Sequence, residues 1–202
     1  LGSRGIDEGL GALEPLAEFQ TLFTRISQDA PHDPTAVALA TADASGAPSA
    51  RMVLLKGVDA RGFHFFTNYD SRKGRELAEN PRAALCWHWD WLEMQVRAEG
   101  TVERLSATES DAYFATRPRG HQLGAWASFQ SQPLDSRFAL LRRVIATEAR
   151  YLGRAIPRPP HWGGFLLRPE RIEFWQGKKS RLHERRHFYL EQGVWRCERL
   201  SP

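Results

Sequence analysis

Short apolar runs separated by turn-forming residues are the feature of this sequence that most restricts its fold. Runs typical of β-strands occupy 35–41, 51–56, 63–67, 82–89, 93–105, 164–176 and 187–200. Turn sequences at 43–46 and 59–62 separate the early runs, and Gln192-Gly193 divides the last run as a hairpin. Many strands joined mostly by short turns favour an antiparallel sheet that closes into a barrel.

Four segments predict helices that flank this sheet: 13–28, 71–80, 106–116 and 135–152. The third begins with the capping-box pair Ser106 and Glu109. The apolar residues that the fourth places on one face are Phe138, Leu141, Ile145 and Leu152. We therefore expect a mainly β fold with flanking helices, in which 1–32 form an N-terminal arm and helix and 33–202 form a single domain.

The composition is that of a globular protein from a reducing compartment. Of the 202 residues, 42% are hydrophobic and 26% are charged, which is ordinary for a globular chain. No apolar run approaches the length of a membrane span, and the first residues show no secretory signal. The two cysteines, Cys86 and Cys197, lie far apart and exclude a disulfide framework. We expect a cytoplasmic protein without a membrane segment.

Basic residues slightly exceed acidic ones, 28 against 24, and all but four of the basic residues are arginine. Arginine suits bidentate contact with phosphate, although codon bias explains the excess equally well. The donors form four clusters: Arg51 with Lys56, Ser71-Arg72-Lys73, Arg117-Pro118-Arg119, and Arg181 to Arg186. Because the clusters are separated and form no stripe, they favour a small anionic ligand over nucleic acid. The second cluster opens a helix, where backbone N–H groups favour a phosphate.

The segment Arg181-Leu182-His183-Glu184-Arg185-Arg186-His187 contains H-E-x-x-H, which marks zinc proteases when it lies on a helix. Here it falls between two strand-like runs, its variable positions are cationic, and no His or Cys follows at a metzincin-like spacing. We therefore predict no metal site. In an extended chain, Arg181, His183 and Arg185 would share one side and offer donors to a phosphate or carboxylate. From these residues alone, a solvated charged loop is the favoured interpretation.

Common nucleotide-binding and hydrolase motifs are absent from the sequence. It contains neither G-x-G-x-x-G, nor G-x-x-x-x-G-K-[ST], nor G-x-S-x-G. Seven tryptophans could stack on a planar ligand, although most are expected to pack in the core or at interfaces. Trp175, at the end of a strand, is the best candidate for a ligand contact.

A series of ordered motifs resembles the pyridoxine/pyridoxamine 5′-phosphate oxidase family. The motifs are Arg51-Met52-Val53-Leu54-Leu55-Lys56, Phe66-Thr67-Asn68, Ser71-Arg72-Lys73, Gln95-Val96, Tyr113-Phe114-Ala115-Thr116-Arg117-Pro118-Arg119, Gly124-Ala125-Trp126-Ala127-Ser128-Phe129-Gln130-Ser131, Trp162-Gly163-Gly164-Phe165, Glu173-Phe174-Trp175-Gln176-Gly177 and Arg181-Leu182-His183-Glu184-Arg185. The likeness runs in order from about Asp33 to Pro202. Chance agreement over so many ordered motifs is implausible.

The resemblance implies an antiparallel FMN-binding split β-barrel that forms a homodimer, with FMN at the subunit interface. The implied reaction oxidises pyridoxine 5′-phosphate or pyridoxamine 5′-phosphate to pyridoxal 5′-phosphate, with O2 reoxidising the flavin and H2O2 released. Two phosphate esters in each site, one on FMN and one on the B6 vitamer, would account for the number of donor clusters. H-E-x-x-H then arises by chance, where one motif runs into a strand.

The resemblance also assigns residues to the site. The expected cofactor-binding residues are Arg51, Met52, Val53, Leu54, Leu55, Lys56, Phe66, Thr67, Arg72, Lys73, Gln95, Gln130, Ser131, Trp175 and Arg185, some of them from the second subunit. The expected substrate-binding residues are Lys56, Tyr113, Arg117, His121, Arg181 and His183. Arg181 and His183 are the expected catalytic residues, and His183 is a candidate to take up the substrate proton.

One departure from the family pattern concerns the substrate. His121 stands where the family usually has a serine that helps to bind the substrate phosphate, which leaves the preferred substrate open. Two other functions also remain open: a related flavin oxidase of another aromatic compound, such as a dihydrophenazine, and a non-enzymatic protein that binds FMN or pyridoxal phosphate. The sequence Arg117-Pro118-Arg119 argues against the first function, and the presence of Arg181 and His183 argues against the second.

Overall fold

An antiparallel sheet forms the centre of the structure, a computed structural model that describes residues 14–202. Its strands are β1 (Ala36–Ala42), β2 (Pro48–Leu54), β3 (Gly57–Asp59), β4 (Gly62–Asn68), β5 (Arg82–Trp89), β6 (Met94–Arg104), β7 (Trp162–Gln176), β8 (Glu184–Glu191) and β9 (Val194–Arg199). The flanking helices are α1 (Pro15–Gln28), α2 (Arg72–Glu79), α3 (Ala107–Thr116), α4 (Arg119–Ala127) and α5 (Arg137–Arg150). Single 3-10 turns lie at Asp90–Leu92 and Lys179–Arg181.

The long strand β7 divides the sheet into two parts. Strands follow one another in the order β2-β1-β5-β6-β7-β4-β3. The first part of β7 pairs with β4, and its last part, 171–176, pairs instead with β8, which continues into β9. The result is a curled half-barrel with a hairpin beside it, antiparallel in every pairing, which confirms the predicted mainly β split-barrel fold.

Helix α1 and the inner face of the sheet share the main hydrophobic core. The Phe19 ring of α1 packs edge-on against Phe63, with ring centroids 4.9 Å apart, and lies 4.8 Å from Trp87. All three side chains are fully buried, and burial of a ring of this size contributes about 2–3 kcal/mol. A second, smaller core under α3 and α4 contains Phe114 and Trp162. This smaller core supports the wall of the candidate site.

Two helix starts follow directly from the sequence. The Ser106 hydroxyl accepts a hydrogen bond from the Glu109 N–H, and the Glu109 carboxylate accepts one from the Ser106 N–H, so the predicted capping box forms in full. Ser71 caps α2 by accepting from the Gly74 N–H. A Cβ atom at Gly74 would lie 2.1 Å from the Tyr69 carbonyl oxygen, so no larger residue fits there.

Several predicted boundaries and contacts are wrong. β2 runs from Pro48 to Leu54 rather than over 51–56, since its first residues pair with β1 despite their weak strand propensity. The last run begins at Glu184, and α4 was not predicted. The apolar face of α5 is exposed, with Phe138 at 75%, because α5 packs on α4 and not on the sheet. No helix within 14–202 has the length and apolarity to cross a bilayer.

The predicted division at residue 32 stays a prediction, because 1–13 lie outside the described residues. Helix α1, predicted over 13–28, is described from Pro15 to Gln28. Its burial of Phe19, Leu22 and Ile26 joins it to the core of the 33–202 domain.

Candidate active site

A cleft of about 730 Å³ opens between β2, β4 and the α3–α4 pair. It contains eleven of the expected cofactor- and substrate-binding residues: Met52, Val53, Leu54, Lys56, Phe66, Thr67, Lys73, Tyr113, Arg117, His121 and Gln130. Residues as far apart in sequence as Met52 and Gln130 thus meet in one cavity. Strand β4 joins its two sides, because Phe66 stacks on Tyr113 of α3 and Thr67 accepts a hydrogen bond from Lys73 of α2. The cleft is therefore the candidate active site.

Lys73 is a buried cation at one part of the cleft. Its Nζ donates to Thr67 Oγ1 at 3.2 Å, to Gln130 Oε1 at 3.1 Å and to Ser71 Oγ at 3.4 Å. These acceptors are all neutral. Burial, together with the charge of Arg51 and against that of Glu76, lowers the pKa of Lys73 to about 8. A phosphate bound here would supply the negatively charged partner that the neutral acceptors do not provide.

Arg51 and Arg72, both expected to bind the cofactor, contact Glu76. Arg51 Nη2 lies 3.1 Å from Glu76 Oε2, and Arg72 Nε lies 2.8 Å from Glu76 Oε1. Burial alone raises the pKa of Glu76, but hydrogen bonds from Thr41, Ser49 and the two arginines lower it to about 2. Arg51 is thereby held between β1, β2 and α2, and neither Arg51 nor the buried Leu55 is among the residues that line the cleft. Arg72 uses Nε for Glu76 and is exposed beside the cleft.

Arg117 is the second cation of the cleft, and it is half-buried. Its guanidinium carbon lies 4.5 Å from the ring centroid of Trp162, and its Nη1 is buried without a hydrogen-bond partner among the described residues. Burial lowers the pKa of Arg117 and raises that of the neighbouring Tyr113. Tyr113 in turn stacks on Phe66, with ring centroids 3.9 Å apart. The cleft therefore combines an aromatic wall with an unpaired guanidinium group, which suits a planar anionic ligand.

Gln95, Trp175 and Arg185 form a second cluster outside this cleft. Gln95 on β6 lies opposite Trp175 on β7, and Trp175 lies opposite Arg185 on β8. The His183 ring lies 4.7 Å from the Trp175 ring, so the predicted catalytic histidine belongs to this cluster. Ser131 is exposed, with φ 66°, next to Gln130. One chain thus separates the expected site residues into two groups.

The segment before β8 is a tight turn and not the extended chain that was predicted. Ser180 and Arg181 have φ of 58° and 60°, so Arg181 does not alternate with His183 and Arg185 along one strand. His183 Nδ1 accepts a hydrogen bond from the Lys178 backbone N–H at 3.2 Å. Neutral His183 therefore carries its proton on Nε2 and presents a donor there. This arrangement argues against His183 as the acceptor of the substrate proton.

The H-E-x-x-H motif has no helical geometry. Its Glu184 and His187 lie in β8, and His187 Nδ1 contacts Glu198 at 3.0 Å. Among residues 14–202 no group of three or more His, Cys, Asp or Glu side chains is placed to hold a metal ion.

The site residues expected from the sequence did not include one wall of the cleft. Helix α4 contributes Gly120, Gly124 and Ala125, and the following Ser128 completes that side. The signal was present in the Gly124-Ala125-Trp126 motif, but the two glycines disfavoured a helix prediction. Trp162, which was not among the expected site residues, stacks nearly parallel to Phe66, with ring centroids 5.6 Å apart.

The curled antiparallel sheet and its cleft, with one buried and one half-buried cation, define a protein of the split-barrel class. Residues 24–152 match the family model described as pyridoxamine 5′-phosphate oxidase, and 162–202 match the pyridoxine 5′-phosphate oxidase C-terminal dimerisation region. The chain therefore belongs to the pyridoxamine 5′-phosphate oxidase family, whose members are flavin-dependent oxidoreductases. The second match indicates that the chain dimerises through its C-terminal part.

Similar proteins agree with this assignment. The chain is 54% identical over 198 residues to pyridoxine/pyridoxamine 5′-phosphate oxidase of Rubrobacter xylanophilus, covering 98% of this chain and 91% of the relative. It is 56% identical over 191 residues to the protein of the same name from Anaeromyxobacter dehalogenans, covering 95% and 96%.

Two solved structures share the architecture. PhzG from Burkholderia lata, in complex with tetrahydrophenazine-1-carboxylic acid, superposes with a TM-score of 0.89 at 33% identity, covering 94% of this chain and 93% of that chain. A pyridoxamine 5′-phosphate oxidase-related, FMN-binding protein of Nostoc punctiforme superposes at 0.76 and 17% identity, covering 95% and 100%, which supports the fold alone.

Proposed function

We propose that this chain is an FMN-dependent oxidase of phosphorylated B6 vitamers. Pyridoxine 5′-phosphate and O2 give pyridoxal 5′-phosphate and H2O2, whereas pyridoxamine 5′-phosphate also consumes water and releases ammonia. The observation that carries the proposal is Arg117, a half-buried cation whose buried Nη1 has no hydrogen-bond partner among residues 14–202, in the cleft of a chain 54% identical to a pyridoxine/pyridoxamine 5′-phosphate oxidase.

The two cationic positions suit two phosphate esters. We place the FMN phosphate at Lys73 and the start of α2, where Arg72 has its Nη groups available beside the bond from Nε to Glu76. We place the vitamer phosphate at Arg117, with Lys56, Tyr113 and His121 nearby in the same cleft. A dianion beside each of these desolvated cations offsets the electrostatic cost of removing its charge from water.

A second subunit would complete the cleft. Gln95, Trp175 and Arg185 do not line the cleft of their own chain, and most of their cluster lies within the dimerisation region 162–202. We therefore propose a homodimer in which Gln95 of the partner subunit, the partner's Trp175 and the partner's Arg185 contact the FMN. The exposed Met52 and Leu54 at the mouth of the cleft are apolar surface that such a partner would cover.

Bound FMN would take two electrons from the 4′ carbon of the vitamer and pass them to O2. The residues of the chain hold and orient the reactants. Arg117 fixes the phosphate end, and the partner's Arg181 and the partner's His183 act at the 4′ end. Because Nδ1 of His183 is bonded to the Lys178 N–H, its Nε2–H donates to the 4′ oxygen or nitrogen and orients it.

The visible spectrum of the purified protein tests this function. We expect the protein to take up FMN, and the flavin band to bleach when pyridoxine 5′-phosphate is added without O2. Admitting O2 should restore the band and release one H2O2 per aldehyde. Arg117→Met, loaded with FMN, is the matched control and should not bleach at the same vitamer concentration. A flavin that stays oxidised in the wild type contradicts the proposal.

A second candidate function is oxidation of a reduced phenazine carboxylate, favoured by the superposition on PhzG. A carboxylate would also pair with Arg117. The higher identity to pyridoxine/pyridoxamine 5′-phosphate oxidases, 56% against 33%, favours the B6 vitamer. Faster bleaching by a dihydrophenazine carboxylate would reverse this preference. Binding of FMN or pyridoxal phosphate without H2O2 formation would indicate a carrier protein.

We also propose that the protein lies in the cytoplasm, where its two free cysteines stay reduced.

A further inference from the structure

Glu173 is a buried carboxylate at the centre of the second cluster. It lies on β7, two residues before Trp175, so both side chains project from the same face of the strand. Its Oε1 accepts from Arg185 Nε at 2.9 Å, and its Oε2 accepts from Arg185 Nη2 at 3.1 Å and from Arg97 Nη2 at 2.6 Å. One carboxylate thus holds two guanidinium groups, and it grips Arg185 with both oxygens.

Arg185 has a further fixed contact on its opposite side. Its Nη1 donates to the Ser201 carbonyl oxygen at 2.9 Å, while its own carbonyl accepts from the Leu200 N–H at 3.1 Å. The side chain is therefore held between β7 and the segment after β9. Arginine has several rotatable bonds, and restricting them before a ligand arrives removes an entropic cost from binding.

The charge of Glu173 is secure in this setting. Burial alone raises the pKa of Glu173, but the hydrogen bonds from Arg185 and Arg97 hold that pKa below its usual range. The two arginines differ in their dependence on it. Arg185 contacts both carboxylate oxygens, whereas Arg97 contacts one and has a buried Nε without a partner among the described residues.

We propose that Glu173 is a positioning residue of the flavin site, because it fixes the orientation in which Arg185 reaches the cofactor. This inference rests on the proposed function, which assigns Arg185 to FMN. Glu173 itself contacts no ligand in this scheme. Its effect passes through Arg185, and Arg97 serves only to stabilise the buried carboxylate.

The experiment compares four variants of the full chain: Glu173→Gln, Arg97→Gln, Arg185→Gln, and Glu173→Gln with Arg185→Gln. The readouts are the FMN dissociation constant from flavin fluorescence and the unfolding temperature of the flavin-free protein. Glu173→Gln should weaken FMN binding about tenfold by releasing Arg185. Arg97→Gln breaks the same buried network and should lower the unfolding temperature by a similar amount, yet leave FMN binding within about twofold of wild type.

The double variant separates positioning from general destabilisation. If Glu173 acts through Arg185, adding Glu173→Gln to Arg185→Gln should not weaken FMN binding further. Additive losses would overturn the inference, as would equal weakening by Arg97→Gln. Glu173→Asp, which keeps the charge and withdraws the carboxylate by one methylene, gives the same test if the Gln variant does not fold. It should weaken FMN binding while leaving the protein stable.

The role of Glu173 and the assignment of Arg185 to FMN, which belongs to the proposed function, can fail separately. If Arg185→Gln weakens FMN binding and Glu173→Gln does not, only the positioning role is wrong. If neither variant changes FMN binding while the wild type oxidises the vitamer, the assignment of Arg185 to FMN is wrong as well, and the inference falls with it. Glu103→Gln, which breaks the exposed pair with Arg168 in the same sheet, is the control and should change neither readout.

Discussion

The cleft and the β7–β8 hairpin differ in whether their cations are paired with carboxylates. In the cleft, Lys73 has only neutral acceptors, and Arg117 has a buried Nη1 without a partner among residues 14–202. In the hairpin, Arg185 is paired with the buried Glu173, and Lys178 with Glu184. Both regions are rich in cations, but the structure pairs Arg185 and Lys178 of the hairpin with carboxylates and shows no such pair for Lys73 or Arg117 among the described residues.

This difference distinguishes binding from positioning. A cation buried without a counter-ion destabilises the free protein, and a ligand that supplies negative charge recovers that free energy on binding. A cation paired with a carboxylate is already neutralised. It therefore adds little net attraction for an anionic ligand and instead presents hydrogen-bond donors in a fixed orientation. The depression of the Lys73 pKa from 10.5 to about 8 corresponds to a cost on the order of 3 kcal/mol for the charged form.

The largest expected effect is at Arg117. Arg117→Met should lower kcat/KM for pyridoxine 5′-phosphate by about 100- to 1,000-fold, since it removes the charged partner of a desolvated phosphate. The same change should raise the unfolding temperature of the ligand-free protein by about 2–4 °C, because an uncompensated, half-buried charge is lost. Steady-state kinetics and thermal unfolding measure the two effects. Lower stability in this variant would break the comparison, since it would mean that Arg117 is already compensated.

Lys73 should show the second largest effect, and it should depend on pH. Lys73→Met should weaken FMN binding about 10- to 100-fold at neutral pH. Between pH 8 and 10.5 the unfolded chain binds more protons at Lys73 than the folded chain does, so ligand-free stability from this residue rises with pH across that window.

Denaturant unfolding measured from pH 7 to 10 checks this rise, which should be absent in Lys73→Met. FMN binding by the wild type should weaken above about pH 8, where the free ammonium group loses its proton. Lys73→Arg is the matched control because arginine stays charged over this range. The same pH profile in both proteins would assign the titration to another group.

In the hairpin, substitutions at His183 test whether this residue donates a hydrogen bond or transfers a proton. If its role is to donate from Nε2, His183→Gln should keep kcat within about tenfold of wild type, because the amide supplies a donor at a similar distance. His183→Phe should lose about one further factor of ten, as expected for one hydrogen bond. Anaerobic flavin reduction, followed by stopped flow, measures this step. Equal and large losses in both variants would point to proton transfer by the imidazole.

The smallest effect is expected at the exposed pair of Lys178 and Glu184, 3.3 Å apart. Glu184→Gln should change the free energy of unfolding by less than about 1 kcal/mol and kcat by less than twofold, because surface ion pairs contribute little. Denaturant titration and steady-state assays measure both quantities. A large loss of activity would mean that this pair, like Glu173, positions the residues between β7 and β8.

The sequence predicted most of the fold because its local signals agree with the tertiary structure. The Ser106–Glu109 capping box and the Gln192-Gly193 hairpin both form where they were predicted. Predictions failed where packing overrides propensity. Helix α4 forms despite Gly120 and Gly124, and the apolar face of α5 predicted a buried surface that the chain alone leaves exposed.

The candidate site was predicted less completely. Motifs identified the residue types of the cleft, including Lys73, Tyr113 and Arg117. They did not indicate that Arg51 would bond Glu76, or that Arg181 would lie in a left-handed turn. Such contacts join residues 25 or more positions apart, or depend on a backbone turn that no single residue type specifies.

The sequence by itself determined most of the order of strands and helices, the family resemblance, and the supply of cations, because these depend on local propensity and on the identity of side chains. Only the tertiary structure decided which cations remain unpaired. Whether a guanidinium or ammonium group meets a carboxylate depends on distances of a few ångströms between strands that are remote in sequence, and burial then sets the electrostatic cost. That is why Arg117 and Arg185 look alike in the sequence and differ in the fold.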